Sequence, residues 1–147
     1  MKFISVDGSD KSGKSSILEG VWNATNGLVH IEDRSPSTWN FFNKLLDRIP
    51  DKDKNVYEKA YKHKIGIYRQ LLDLAVILEV SENDWSSRCL DHKEPTLVGD
   101  LSFKEHQKQL IKEFDKCKYP NVLRLNTSEK TLDECVTLIL KRIGIHK

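Results

Sequence analysis

Long apolar runs and closely spaced cysteines are both missing from this 147-residue sequence. No segment approaches the roughly 18 apolar residues that a membrane-spanning helix requires, and residues 1 to 15 lack the apolar core of a secretion signal. The three cysteines lie far apart without a C-x-x-C pair, which argues against a disulfide framework and against a zinc site. We therefore expect a soluble cytoplasmic protein with reduced thiols and no membrane partner.

A strong excess of charge of one sign is also missing. The formal net charge is +2 and the sequence pI is about 8.4, a balance that does not by itself indicate nucleic-acid binding. With 38% hydrophobic and 31% charged residues, the composition is that of a globular chain rather than a disordered one. Since internal repeats and low-complexity segments are absent too, we expect residues 1–147 to form one domain.

The sequence does contain a glycine-containing loop near its amino end, between a predicted short apolar strand and a predicted helix. Gly8, Gly13, Lys14 and Ser15 satisfy the P-loop pattern G-x-x-x-x-G-K-[ST]. In this pattern, backbone N–H groups and the helix N-terminus face triphosphate oxygens, the lysine reaches the β- and γ-phosphates, and the serine hydroxyl binds Mg²⁺. The residues expected to contact the triphosphate are Gly8, Ser9, Asp10, Lys11, Ser12, Gly13, Lys14, Ser15 and Ser16.

A carboxylate and a guanidinium follow the second predicted strand. That strand covers residues 28–32, and Asp33 and Arg34 come directly after it, before Pro36, which is expected to break regular structure. Open α/β sheets bind their ligands at the carboxyl ends of the strands. We therefore expect Asp33 near the Mg²⁺ and Arg34 near an acceptor phosphate. The alternative is a surface ion pair, which contributes little stability.

Hydrophobic periodicity predicts the remaining elements. Further strands are expected at 3–7, 74–80 and 121–126, and helices over 14–23 and 55–73, from 102 and from 131. Strands alternating with helices predict an α/β fold, in which helices cover both faces of a central parallel sheet. Trp39, Phe42 and Leu46 recur at helical spacing, which core packing explains. For Trp39 or Phe42 the alternative is stacking on an acceptor base.

The loop and the Asp-Arg pair together carry a family resemblance. The segment Val6-Asp-Gly-Ser-Asp-Lys-Ser-Gly-Lys-Ser-Ser16 resembles the phosphate loop of thymidylate kinases. Asp33-Arg34-Ser35 resembles the Asp-Arg motif of that family and the acid-Arg-Ser motif of deoxynucleoside kinases. The order of elements from residue 3 to residue 143 is compatible with both. The resemblance implies a three-layer P-loop NTPase fold with a small lid over about 81–95, ATP as phosphoryl donor, and Mg²⁺.

On the donor side, the resemblance assigns roles to single residues. Lys14 and Lys11 would neutralise the transferring phosphoryl group, and Arg88 would be the arginine of the lid that covers the donor phosphates. Many lids of the family carry two or more arginines, whereas this segment has one, which fits a loop in which Lys11 shares that task. Thr127 corresponds in position to the loop that borders the donor adenine.

On the acceptor side, Asp10 would contact the sugar of the acceptor and Arg34 its phosphate, and Asp7 is a candidate for orienting the accepting oxygen. Family members have a strand and helices between the first helix and the Asp-Arg strand that help to enclose the acceptor. Here Gly27 leads almost directly to Leu28. We therefore expect a shallower acceptor site, which a partner subunit or residues 39–61 would close, or which would admit a DNA end.

Three functions remain open at this point. The leading one is an ATP-dependent kinase that acts on a deoxynucleoside or a deoxynucleoside monophosphate. The second is a polynucleotide or DNA-base hydroxyl kinase, which the absent acceptor-enclosing segment and the lysines of residues 52–64 favour. The third is a non-catalytic nucleotide-binding protein that keeps only the donor loop. A homodimer is compatible with each of them, because a sheet edge or helix face would be left exposed.

Overall fold

A computed structural model describes residues 1–9, 11–92 and 102–145 as strands alternating with helices. The strands are β1 (Lys2–Gly8), β2 (Val29–Asp33), β3 (Leu74–Glu79) and β4 (Val122–Asn126). The helices are α1 (Lys14–Thr25), α2 (Pro36–Leu45), α3 (Lys54–Leu71), α4 (Glu82–His92), α5 (Phe103–Lys116) and α6 (Leu132–Arg142), with a short 3-10 turn at Asp51–Asp53. None of these helices combines the length and the apolarity that crossing a bilayer requires.

The four strands form one parallel sheet in the order β2-β1-β3-β4. The two inner strands, β1 and β3, are buried over most of their length, as the nearly continuous apolar sequence of β3 predicts. Each strand is connected to the next strand along the chain through one or more helices, which is the kind of connection that parallel strands need. This arrangement confirms the predicted α/β fold with a central parallel sheet.

Helices cover both faces of the sheet, so that the molecule has two cores. Strand β3 illustrates the division, because Val76 and Leu78 face one side while Ala75 and Ile77 face the other. On the first side, α1 and α6 pack their apolar stripes against β1 and β3, and on the second side α3 and α5 do so. The predicted three layers are therefore present.

Helix α2 departs from the sequence prediction in two ways. It begins at Pro36 rather than after a break, since proline suits the first helical turn, where its missing N–H is not required. The predicted core position of Trp39 is wrong: Trp39 is 48% exposed, and Phe41 is the buried aromatic residue of this helix. The other buried residues of α2 are Pro36, Ser37, Thr38 and Asn40. Two of its polar side chains have tertiary partners: Thr38 donates to the buried carboxylate of Asp7 in β1, and Asn40 is hydrogen-bonded to residues of α3 and α5.

Candidate functional site

The described part of the loop between β1 and α1 leads into a helix whose N-terminus is not capped by a side chain. Gly13, with φ of 94°, lies in the left-handed region and is the N-cap of α1, so the helix N-terminus is not covered by a capping side chain of its own. The N–H of Ser12 donates to the carbonyl of Ser9 over 3.2 Å. At Gly8 a Cβ would lie 2.5 Å from Oγ of Ser12, so a side chain there would require the Ser12 side chain to shift.

A pocket of about 580 Å³ lies over this loop. Its lining residues come from the loop, the start of α1, α4, the segment after β4, and α6. They are Ser9, Lys11, Gly13, Lys14, Ser15, Ser16, Ile17, Arg88, Thr127, Lys130, Leu132 and Cys135. The structure thus brings most of the predicted triphosphate-binding residues to one pocket, together with Arg88 and Thr127. Asp10 and lid residues 93–95 lie outside the described residues.

The Nζ of Lys14 forms an ion pair with Oδ1 of Asp33. Parallel pairing of β1 with β2 causes this contact, because it sets Val6 opposite Asp33 and brings the carboxyl ends of both strands to one edge. The Lys14 side chain is only 12% exposed, whereas that of Asp33 is 59% exposed and open to solvent. Carboxylate and hydroxyl oxygens are the ligands that Mg²⁺ prefers, so Asp33 and Ser15 fit the metal that a triphosphate carries.

Asp7, at the end of β1, is fully buried, and its two carboxylate oxygens differ. Oδ1 accepts hydrogen bonds from the backbone N–H of Ser35, over 2.8 Å, and from the hydroxyl of Thr38. Oδ2 has no hydrogen-bond partner among the described residues. Burial raises the pKa of Asp7 above its ordinary value, against the lowering effect of these hydrogen bonds and of the Lys14 charge. A buried carboxylate with one oxygen left over can interact with a reacting group.

Arg34 follows β2 in a strained backbone conformation, with φ of 81°. Its N–H donates to the carbonyl of Val6 over 3.0 Å, which ties it to the end of β1. The guanidinium carbon lies 5.4 Å from the ring centre of Trp39 and 5.7 Å from that of Phe42. Both rings therefore stabilise the cation through their faces, and Nε is buried without a hydrogen-bond partner among the described residues. Such a guanidinium can bind an anionic group.

Arg88 of α4 and Thr127, which follows β4, both contact the backbone of the loop between β1 and α1. Nη1 of Arg88 donates to the carbonyl of Lys11 over 2.6 Å and lies 3.4 Å from Oγ1 of Thr127. The Thr127 hydroxyl donates to the carbonyl of Ser12 over 2.7 Å. The resemblance implied phosphate binding for Arg88 and an adenine contact for Thr127. In the structure both side chains hold carbonyls of the loop, so they also fix its shape.

Sequence reasoning missed Ser35 and Thr38, which hold Asp7 in place. A signal was available, since both are polar residues near the start of a helix that follows a strand end. The aromatic residues of α2 mask this signal, because they recur at helical spacing and so indicate a different inward face. The hydroxyl of Thr127 was missed for a different reason: its contact joins residues 115 positions apart, and no local pattern encodes it.

Comparison with known proteins yields structural neighbours only. No protein-family model matches the chain, and no curated protein matches it in sequence. A solved structure of deoxyadenosine kinase from M. mycoides with bound dATP superposes with a TM-score of 0.57 at 17% identity, over 97% of this chain and 99% of that one. The same kinase with the products dCMP and a flexible dCDP gives 0.56 at 17% identity, over 97% and 98%. The chain therefore has the α/β fold of these nucleotide-bound kinase structures.

Proposed function

We propose that this protein is an ATP-dependent phosphotransferase that phosphorylates a deoxynucleoside or a deoxynucleoside monophosphate. The observation that carries the proposal is the contact of Lys14 with Asp33 at the mouth of the loop, with Asp7 and Arg34 at the same edge of the sheet. Donor loop, metal-binding oxygens and acceptor-binding groups thus come together. The fold, shared with a kinase solved with dATP and with dCMP, supports this reading.

On the donor side, the pocket of about 580 Å³ has room for a nucleoside triphosphate, and its loop presents backbone N–H groups to the phosphates. Lys14 and Lys11 supply positive charge where it accumulates on the transferring group. Mg²⁺, when bound, would supply positive charge that offsets the negative charge of the triphosphate. Ser15 and Asp33 would hold it, and Asp33 would then exchange its ion pair with Lys14 for the metal or its waters.

On the acceptor side, Arg34 orients the substrate and Asp7 receives the proton. With a nucleoside acceptor, the hydroxyl oxygen attacks the γ-phosphorus, the bond between this phosphorus and the bridging oxygen breaks, and ADP leaves. The hydroxyl proton passes to Oδ2 of Asp7, whose raised pKa makes it a better proton acceptor than an ordinary aspartate. With a monophosphate acceptor the attacking oxygen carries no proton, so no proton acceptor is required, and Arg34 orients the phosphate.

A coupled assay of ADP formation with ATP and Mg²⁺, run over a panel of deoxynucleosides and their monophosphates, tests the proposal. We expect one acceptor class to stimulate ADP release. Lys14→Ala should lower this rate at least about a thousandfold, because the γ-phosphate loses its buried counter-charge. Lys108→Ala on the exposed face of α5 is the matched control and should leave the rate unchanged. ATP binding without transfer to any acceptor would contradict the proposal and indicate a nucleotide-binding protein.

A further inference from the structure

Positive charge is concentrated on one helix of this nearly neutral chain. Helix α3 carries five cationic side chains and one carboxylate, a net charge of +4 with histidine neutral, while the whole chain carries +2. The remainder of the chain is therefore net acidic. The five cations, all exposed, are Lys54, Lys59, Lys62, Lys64 and Arg69. Concentrated charge of this kind attracts a polyanion even where the net charge of the protein is small.

The cations are also spread along a length that exceeds a mononucleotide. From Lys54 to Arg69 the helix advances 15 residues, or about 22 Å at the usual rise per residue. Phosphates of an extended nucleic-acid strand can be reached along such a distance, whereas a single nucleotide would meet only one or two of the side chains. The distribution therefore favours a polymeric anion. Lys54 has an ion-pair partner in Asp51, and Nε of Arg69 donates to the carbonyl of Cys117 over 2.6 Å, so the three lysines between them contribute most.

A groove with aromatic walls runs between α2 and α3. It has a volume of about 170 Å³, and its lining includes Pro36 and Trp39 on α2, and Tyr57, Tyr61 and Lys64 on α3. The rings of Tyr57 and Tyr61 are parallel, with centres 6.3 Å apart, and the Trp39 ring is half-exposed. Aromatic faces bordered by cations bind unpaired bases through stacking and their phosphates through charge. The groove is too small for a duplex.

The groove opens beside Arg34. The guanidinium lies 5.4 Å from the Trp39 ring centre, and Pro36 follows Arg34 by two residues. A strand in the groove would therefore meet a further cation at the end where the acceptor is expected.

We propose that the groove between α2 and α3 binds a single nucleic-acid strand, with bases stacked on Trp39 and Tyr57. Lys64, which lines the groove, and Arg34 beside it would contact the phosphates. Strand binding goes beyond the proposed function, because it requires neither ATP nor phosphoryl transfer. A failure of either proposal thus leaves the other standing. The groove also explains why two aromatic residues of this region remain accessible in the described chain rather than entering a core.

Fluorescence anisotropy with a labelled 15-nucleotide DNA strand, without ATP, tests the contribution of charge. Lys64→Gln should weaken binding at least about threefold and reduce the slope of log affinity against log salt by about 0.7, the value for one phosphate contact on a single strand. Lys108→Gln, the same charge change on the exposed face of α5, is the matched control and should retain the affinity. Equal losses in the two variants would overturn the proposal, as would a lack of binding at 50 mM salt.

A second set of measurements tests the stacking. Tyr57→Leu should weaken binding about tenfold, while Tyr57→Phe, which keeps the ring and removes only the hydroxyl bonded to Asn40, should bind like the wild type. An abasic strand of the same length and charge should bind at least about tenfold more weakly than the base-bearing strand. Equal binding of the abasic strand or of a duplex would overturn the proposal, since charge alone would then account for the affinity. Circular dichroism melting verifies that each variant is folded.

Discussion

Asp7 combines complete burial with an ionisable side chain, two properties that oppose each other. The hydrogen bonds from Ser35 and Thr38 offset part of the free-energy cost of burying the charged carboxylate. The cost that remains raises the pKa of Asp7. Such a cost is typical of functional groups rather than of structural ones. We therefore expect Asp7 to lower the stability of the fold while serving the reaction.

Asp7→Asn separates these two effects. The substitution keeps the Oδ1 acceptor, so the fold should be retained, while phosphoryl transfer should fall by about 10²- to 10⁴-fold through loss of the proton acceptor. Because the folded-state pKa is raised above 3.8, the folded protein holds this proton at pH values where the unfolded chain has released it. The contribution of Asp7 to stability therefore decreases as pH rises above about 4, until the folded-state pKa is passed.

Melting curves from pH 4 to pH 8 measure this linkage. The melting temperature of Asp7→Asn relative to that of the wild type should increase with pH, since only the wild type must ionise a buried carboxyl. In activity assays the acid limb of the wild-type rate profile should lie above the pH expected for an ordinary aspartate. A difference in melting temperature that is flat over this range would contradict the raised pKa.

At the scale of elements, the segment after β4 supports the loop that precedes α1. The Thr127 hydroxyl donates to the carbonyl of Ser12, and Arg88 from α4 donates to the carbonyl of Lys11. Strand pairing of β3 with β4 positions Thr127 beside the loop, because its N–H continues the ladder by donating to the carbonyl of Glu79 over 2.9 Å. The shape of the donor site therefore depends on elements from the other half of the chain.

Thr127→Val removes the hydroxyl and leaves the Ser12 carbonyl without this donor. The loss of one such hydrogen bond, about 1 kcal/mol, should lower kcat/KM for ATP roughly fivefold. Thr127→Ser keeps the hydroxyl and should retain most of the activity. Initial-rate kinetics at varied ATP concentration provide the measurement. If the valine and serine variants lose activity equally, the hydrogen bond to the loop has no role in catalysis.

Helix α6 begins with a reciprocal cap. The Thr131 hydroxyl accepts from the N–H of Glu134, and the Glu134 carboxylate accepts from the N–H of Thr131. Thr131→Ala should therefore lower the free energy of unfolding by about 1 kcal/mol, equivalent to about 2–4 °C in melting temperature for a chain of this size. Urea titration measures the change. Thr131→Ser, which keeps the cap, should be close to the wild type, and an equal loss in both variants would argue against the cap.

At the scale of the whole molecule, the proposed donor pocket is formed by parts of the chain from Ser9 to Cys135. A ligand that binds only this assembled pocket stabilises the folded state. ATP with Mg²⁺ at one hundred times its dissociation constant should add about 2.7 kcal/mol, which corresponds to a rise in melting temperature of about 5–10 °C. Lys14→Ala should abolish the rise in a thermal-shift measurement. A rise that persists in this variant would indicate binding of ATP elsewhere.

Sequence patterns predicted the fold because the apolar strands and the glycine loop are local features. Parallel strands bring their carboxyl ends to one edge, so the proximity of Asp33 to Lys14 followed from strand positions alone. The orientation of α2 could not be predicted in the same way. Its inward face includes Thr38 and Asn40, whose hydrogen-bond partners are distant in sequence: Asp7 lies 31 positions from Thr38 and Glu113 lies 73 positions from Asn40. Such tertiary partners outweigh the periodicity of the helix itself.

The concentration of positive charge on α3 affects how the protein approaches other charged molecules in solution. With +4 on one helix and a net acidic remainder, the centres of positive and negative charge are separated, and the molecule has an electric dipole. In the field of a negatively charged macromolecule it would turn α3 toward that macromolecule before any contact forms. The association rate would then decrease as salt is added, because salt screens the electrostatic attraction.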